Sequence, residues 1–185
     1  DSAEGQATLR PLLDAGDSVP AWHVAGPAEG PAVVMLAPHG AVAERDRLTA
    51  ELQKGSVAHW FVPEAHSDIV SAVSPDVGVV ALEHMASAVA GLIRHERGRD
   101  RQVTIAAVGP AFTPALLAAL HTGAPLICLD PTLPSSGAHR QRLVRHLTSA
   151  VAVGEHASRR IFVTDQGSAD AKAALQLFGP SPFEV

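Results

Sequence analysis

Residues 101–131 read RQVTIAAVGPAFTPALLAALHTGAPLICLDP, and their pattern decides the architecture. An apolar run at 103–108 stops at Gly109. A helical pattern then begins, with Leu116, Leu117 and Leu120 on one face, and a second apolar run at 125–129 ends at Asp130-Pro131. Strand, abrupt turn, helix and strand in that order make one parallel βαβ unit, because parallel neighbours need a crossover between them.

The same alternation continues on both sides. Residues 7–13 and 19–24 are short, partly alternating runs separated by Asp14-Ala15-Gly16-Asp17, and they read as an antiparallel hairpin at a sheet edge. Pro20 fits an edge strand, where a missing N–H costs least. Residues 31–37, PAVVMLA, form a wholly apolar strand of the kind that helices bury on both faces. A helix is expected at 44–54, a strand at 57–62, a loop at 67–78 and an amphipathic helix at 80–97. Beyond Asp130 the sequence predicts a Pro/Ser-rich loop to residue 137 and a helix at 141–153. A strand at 160–164, a helix at 169–178 and the start of a last strand at 182–185 follow. The expected fold class is α/β: a mostly parallel sheet with helices on both faces and an N-terminal antiparallel hairpin, in one domain over residues 1–185.

Composition narrows the function. An apolar fraction of 46% with 18% charged residues fits a packed core. A net charge of −5 argues against a nucleic-acid partner, which needs a basic face. Arg94, Arg97, Arg99 and Arg101 cluster at a helix C-terminus, where cations suit the dipole. The single cysteine, Cys128, lies inside an apolar run and reads as a buried thiol. No stretch is apolar for long enough to predict a bilayer span, and no membrane partner is expected. The ten histidines show no metal-ligand spacing, so neither metal nor cofactor is expected. A cytoplasmic location is the expectation.

With these segments in order, the chain resembles an α/β-hydrolase, of the small, nearly lidless esterase or thioesterase sort. GPAEGPAVVMLAPHG is similar to the strand that leads into that family's His-Gly oxyanion loop, and VAHWFVPEAHSD to the next strand and its loop. VTIAAVGPAFTPALLAAL resembles the elbow strand, the nucleophile elbow and its helix, and RRIFVTDQGSADAKAALQLFG the late strand–helix pair near the acid. The interval from Asp130 to Arg160 leaves room for only a minimal cap.

The resemblance assigns roles. The elbow motif G-x-S-x-G maps onto Gly109, Pro110, Ala111, Phe112 and Thr113, which puts Ala111 at the nucleophile position. A methyl group has no proton to lose and no lone pair, so the triad is degenerate. Thr113 caps the following helix in this reading, with Pro114 at its first position, and Pro110 biases Gly109 toward extended geometry. The acid falls at Asp130, the thioesterase-like placement, or at Asp165 or Asp170. The base His is expected past the last strand, beyond Val185. The N–H groups of Ala41 and Phe112, beside His39 and Gly40, would face an oxyanion. His66 joins them, since ligands of open α/β sheets bind at the carboxyl ends of the strands.

Three readings of function stay open at this point. The chain is a disabled esterase- or thioesterase-type hydrolase or acyltransferase, with a small acyl ligand or an acyl-carrier partner. Alternatively it is a natural pseudohydrolase that binds a ligand or a protein. The third reading is an enzyme of another class using His39, His66 or Asp130 as acid or base.

Overall fold

The structure, a computed structural model, describes residues 4–9, 19–24, 26–27, 29–38, 40, 42–64, 74–133, 137–154, 159–162, 169 and 183–184. Strands are β1 (Glu4–Leu9), β2 (Val19–Val24), β3 (Ala32–Pro38), β4 (Ala58–Glu64), β5 (Val103–Val108), β6 (Leu126–Leu129), β7 (Arg159–Phe162) and β8 (Phe183–Glu184). Helices are α1 (Val42–Lys54), α2 (Pro75–Arg97), α3 (Phe112–Thr122) and α4 (Gly137–Val153). They build one 8-stranded sheet in the order β1-β2-β4-β3-β5-β6-β7-β8. β1 and β2 are antiparallel, β2 is antiparallel to β4, and every other pair is parallel.

Crossover handedness distributes the helices. The step from β3 to β4 runs one way along the sheet, and the steps from β4 to β5, β6 and β7 run the other way. Right-handed crossovers therefore put α1 on one face and α2, α3 and α4 on the opposite face. The packing agrees. Leu82, Met85, Val89 and Ile93 of α2 share a core with Leu116 and Leu117 of α3, Leu143 and Leu147 of α4, and Val34, Leu36 and Ile105 of the sheet. A smaller cluster of Met35, Ala37 and Phe61 meets Leu48 of α1 on the other face. There Ile127 and Leu129 of β6 remain 40% and 43% exposed.

α2 starts at Pro75, inside the segment expected to be a loop. Ser74 precedes it with extended geometry and Pro75 opens it, a pairing that preorganises a first turn whose N–H groups have no partners in the helix. An 18-residue window of α2 has a mean hydropathy of 1.5, so by length and composition it could cross a membrane. Its apolar stripe lies against the sheet and the neighbouring helices instead. α4 likewise begins earlier than expected, at Gly137, and β1 lies at 4–9 rather than at 7–13. The expected helix at 169–178 falls outside the described residues except at Ala169, which is helical.

The arginine cluster does more than complement a dipole. Arg101 is buried and pairs with the buried Glu96 at 3.0 Å. It also donates to the Pro27 carbonyl at 2.8 Å. Arg97 donates to the Thr122 carbonyl, tying α2 to the end of α3.

Candidate functional site

The carboxyl ends of β5 and β6 lie side by side, with Val108 in register with Leu129. The chain leaves both ends through left-handed backbone. Gly109 has φ +56° and Asp130 has φ +46°. An L side chain resists that region because its Cβ crowds the following carbonyl, which Gly avoids and Asp tolerates better than most. The expectation that Pro110 would hold Gly109 extended is therefore corrected: without a Cβ, Gly109 can turn sharply the moment the strand ends. A hydrogen bond from the Thr132 N–H to the Gly109 carbonyl, at 3.2 Å, joins the two exits.

Gly109–Ala111 forms one turn of 3-10 helix that runs directly into α3. Its closing bond is donated by the Phe112 N–H to the Gly109 carbonyl. Ala111 has ordinary right-handed backbone, φ −66° and ψ −7°, and is fully buried among the apolar residues of the larger core. Phe112 is fully buried as well. A Cβ built on Gly109 would meet only the Asp130 carbonyl oxygen and the Thr132 Oγ1, both at 4.0 Å, which is ordinary van der Waals contact. The sharp, left-handed station of this turn is thus Gly109, two residues before Ala111.

Thr113 does not cap α3. The helix begins at Phe112, Ala111 precedes it without a side-chain cap bond, and Thr113 is buried in the first turn. Pro114 is tolerated there because first-turn N–H groups lack helical acceptors. Cys128 is buried, and burial, assisted by the Asp130 charge, pushes its thiol far above the ordinary range. It is a structural thiol and not a nucleophile.

Of the residues singled out from sequence, the structure brings Asp130 beside Gly109, whose turn leads on into Ala111 and Phe112. Gly40 lies in an exposed turn after β3. His39, Ala41, His66, Asp165 and Asp170 lie outside the described residues. Sequence reasoning placed Gly109 in the elbow but missed that it is the left-handed residue, and missed the Thr132 N–H that ties the two strand exits together. The strand-end glycine was visible, and its position directly after Val108 was the available signal for a left-handed turn.

A mixed sheet in this order, with an antiparallel N-terminal pair and helices on both faces, is an α/β-hydrolase fold. The solved structures agree. An esterase described as novel and cold-adapted, from an Arctic intertidal metagenomic library, superposes with a TM-score of 0.63 at 13% identity, over 99% of this chain and 80% of that one. A dienelactone hydrolase from Anabaena variabilis superposes with a TM-score of 0.52 at 15% identity, over 95% of each chain. Est1E from Butyrivibrio proteoclasticus gives 0.58 at 12% identity, over 92% of this chain and 83% of that one. No family model and no curated protein matches the sequence. At these identities the likeness establishes the fold.

Proposed function

We propose that this chain is an esterase- or thioesterase-like member of the fold that does not carry out serine-dependent acyl transfer itself and serves as a binding module for an acyl ligand or an acyl-carrier partner. The observation that carries this reading is the closed turn at Gly109–Phe112. Acyl transfer needs a nucleophile, and it needs backbone N–H groups aimed at the developing oxyanion, one of them from the residue after the nucleophile. With the nucleophile station at Ala111, the side chain is a methyl group sealed in the core and the following N–H, that of Phe112, is already donated to Gly109. With the station at Gly109, there is no side chain, and the following residue, Pro110, has no N–H to offer. Both registers lose the reactive atom and the oxyanion donor of the residue after it.

Nucleophile and donor are thus lost together, which favours a natural pseudohydrolase over an active enzyme altered at one atom. What supports an acyl class of ligand is the likeness to solved structures described as an esterase and a dienelactone hydrolase. In this reading Asp130, the residue after β6, would stand for the thioesterase-like acid.

The test is labelling with a fluorophosphonate, together with hydrolysis of p-nitrophenyl esters and acyl thioesters. The expected result is neither adduct nor turnover above a heat-denatured control. The Ala111→Ser variant is expected to stay unlabelled, because its hydroxyl would be enclosed in the core. An adduct on the unaltered chain, or on Ala111→Ser, would overturn the reading.

A further inference from the structure

The amino ends of the parallel strands hold a second polar centre, built around the attachment of the N-terminal ribbon. Among the described residues β1 pairs with β2 alone, and β2 reaches the rest of the sheet through three register pairs, Trp22 with Phe61, His23 with Trp60, and Val24 with His59. His23 is the middle one. Its ring stacks on the Trp60 indole, with centroids 4.2 Å apart and planes 24° apart. Trp60 Nε1 donates to Glu96 Oε1 at 3.3 Å, and the other oxygen of Glu96 holds Arg101 at 3.0 Å. Arg101 in turn holds the Pro27 carbonyl, just past the end of β2. His23 Nε2 is buried and has no hydrogen-bond partner.

We propose that the β1–β2 ribbon is an acid-released flap whose latch is the His23–Trp60 stack. The buried, unpartnered Nε2 suits a neutral ring, and the nearby carboxylate is already shared by Trp60 and Arg101. A proton on Nε2 would create a buried N–H⁺ with no acceptor. The charged and titratable neighbours are Glu96 at the end of α2, Arg99 and Arg101 in the turn that follows, and His59 on β4. On the β1 side the register partner is Gly5, which carries no charge. Among the described residues, Glu96, already engaged by Arg101, and the Trp60 indole face favour the proton. Burial, the largest influence, holds the imidazole below its ordinary value, and Arg101, Arg99 and His59 push the same way against Glu96.

The sign follows. The detached ribbon has an ordinary histidine and binds the proton more readily than the latched one. Closure is therefore complete above the ordinary value of 6.5 and weakens as pH falls below it. The opening constant rises by up to about tenfold per pH unit until the latched ring itself titrates.

The test is hydrogen exchange across the β2 amides between pH 7.5 and 4.5, corrected for intrinsic rates. We expect opening at β2 to rise as pH falls below 6.5, with the α3 amides unchanged over the same range. His23→Gln and His23→Phe should both flatten that dependence, since neither ring or amide takes a proton in this range and Phe keeps the stack. NMR titration of His23 in the unaltered chain supplies a readout that needs no variant, with an expected midpoint below that of free histidine. A midpoint at or above the free value would overturn the proposal. So would a β2 profile independent of pH, or a slope removed by His59→Gln and kept in both His23 variants.

Discussion

Glu96→Ala tests what holds the amino end of the sheet together. Glu96 is 0% exposed and its partner Arg101 is 3% exposed by side chain, so water cannot take over either charge when the other is removed. Glu96 carries two contacts, the Trp60 indole and the Arg101 guanidinium. Without it, Arg101 keeps only the Pro27 carbonyl as a described partner, and its Nε is already unpartnered. Removing one partner of a buried ion pair leaves an uncompensated charge and costs about 3–5 kcal/mol. That is a large share of the roughly 5–15 kcal/mol that holds a typical domain together. At about 2–4 °C per kcal/mol for a chain of this size, the thermal midpoint should fall by about 6–20 °C.

The assay is urea and thermal unfolding of the unaltered chain, Glu96→Ala, and the double variant Glu96→Leu with Arg101→Met. The double variant should recover most of the loss, because two apolar side chains of similar volume leave no orphaned charge. The loss in the single variant should persist at 1 M salt, since buried pairs are screened little. A loss below about 1 kcal/mol in Glu96→Ala, the range of exposed ion pairs, would refute the reasoning.

Glu83 supplies the contrast: it bridges His146 at 2.6 Å and His121 at 3.5 Å but is 33% exposed, so Glu83→Ala should cost under about 1 kcal/mol in the same unfolding assay. Cys128 should resist iodoacetamide at pH 8 in the folded protein and react fully in 6 M guanidinium, as read by intact mass. Gly26→Ala should destabilise by about 1–3 kcal/mol, because its Cβ would stand 2.3 Å from the Ala58 backbone nitrogen, which no side-chain rotation relieves. Urea midpoints measure that loss.

The parallel part of the sheet was legible because buried parallel strands are apolar on both faces, and runs such as AVVMLA and VTIAAV announce themselves. Helix bodies were legible from their 3.6-residue period, and their starts were not. The Pro75 and Gly137 starts precede the apolar stripe by a turn or more, where the period has nothing to count. The ion pair at Glu96 and Arg101 was hidden for another reason. A glutamate and an arginine five residues apart near a helix end look like solvated charges, and only the return of β4 and the 26–27 segment across them makes them buried. At the elbow the sequence fixes on a motif frame, whereas the backbone answers to sterics, and the first residue able to turn left-handed after Val108 was Gly109.

On the non-catalytic reading proposed above, that difference of two residues bears on how such a site would lose its chemistry. A reactive side chain at a strand end needs left-handed backbone to stand clear of the sheet, which costs an L residue about 1–2 kcal/mol. Once the side chain no longer reacts, nothing compensates that strain, and glycine removes it. Proline at the next position then stiffens the turn and deletes an N–H that has no oxyanion left to meet. Gly109 and Pro110 together thus form a more stable turn than a working elbow would. The reverse change should restore the strain: Gly109→Ser should lower stability by about 1–2 kcal/mol without conferring fluorophosphonate reactivity, because Pro110 still withholds the donor. The double variant Gly109→Ser with Pro110→Ala restores that donor, and it should pay the same strain. Equal or greater stability in Gly109→Ser, measured by urea unfolding, would show that the turn carries no such relief.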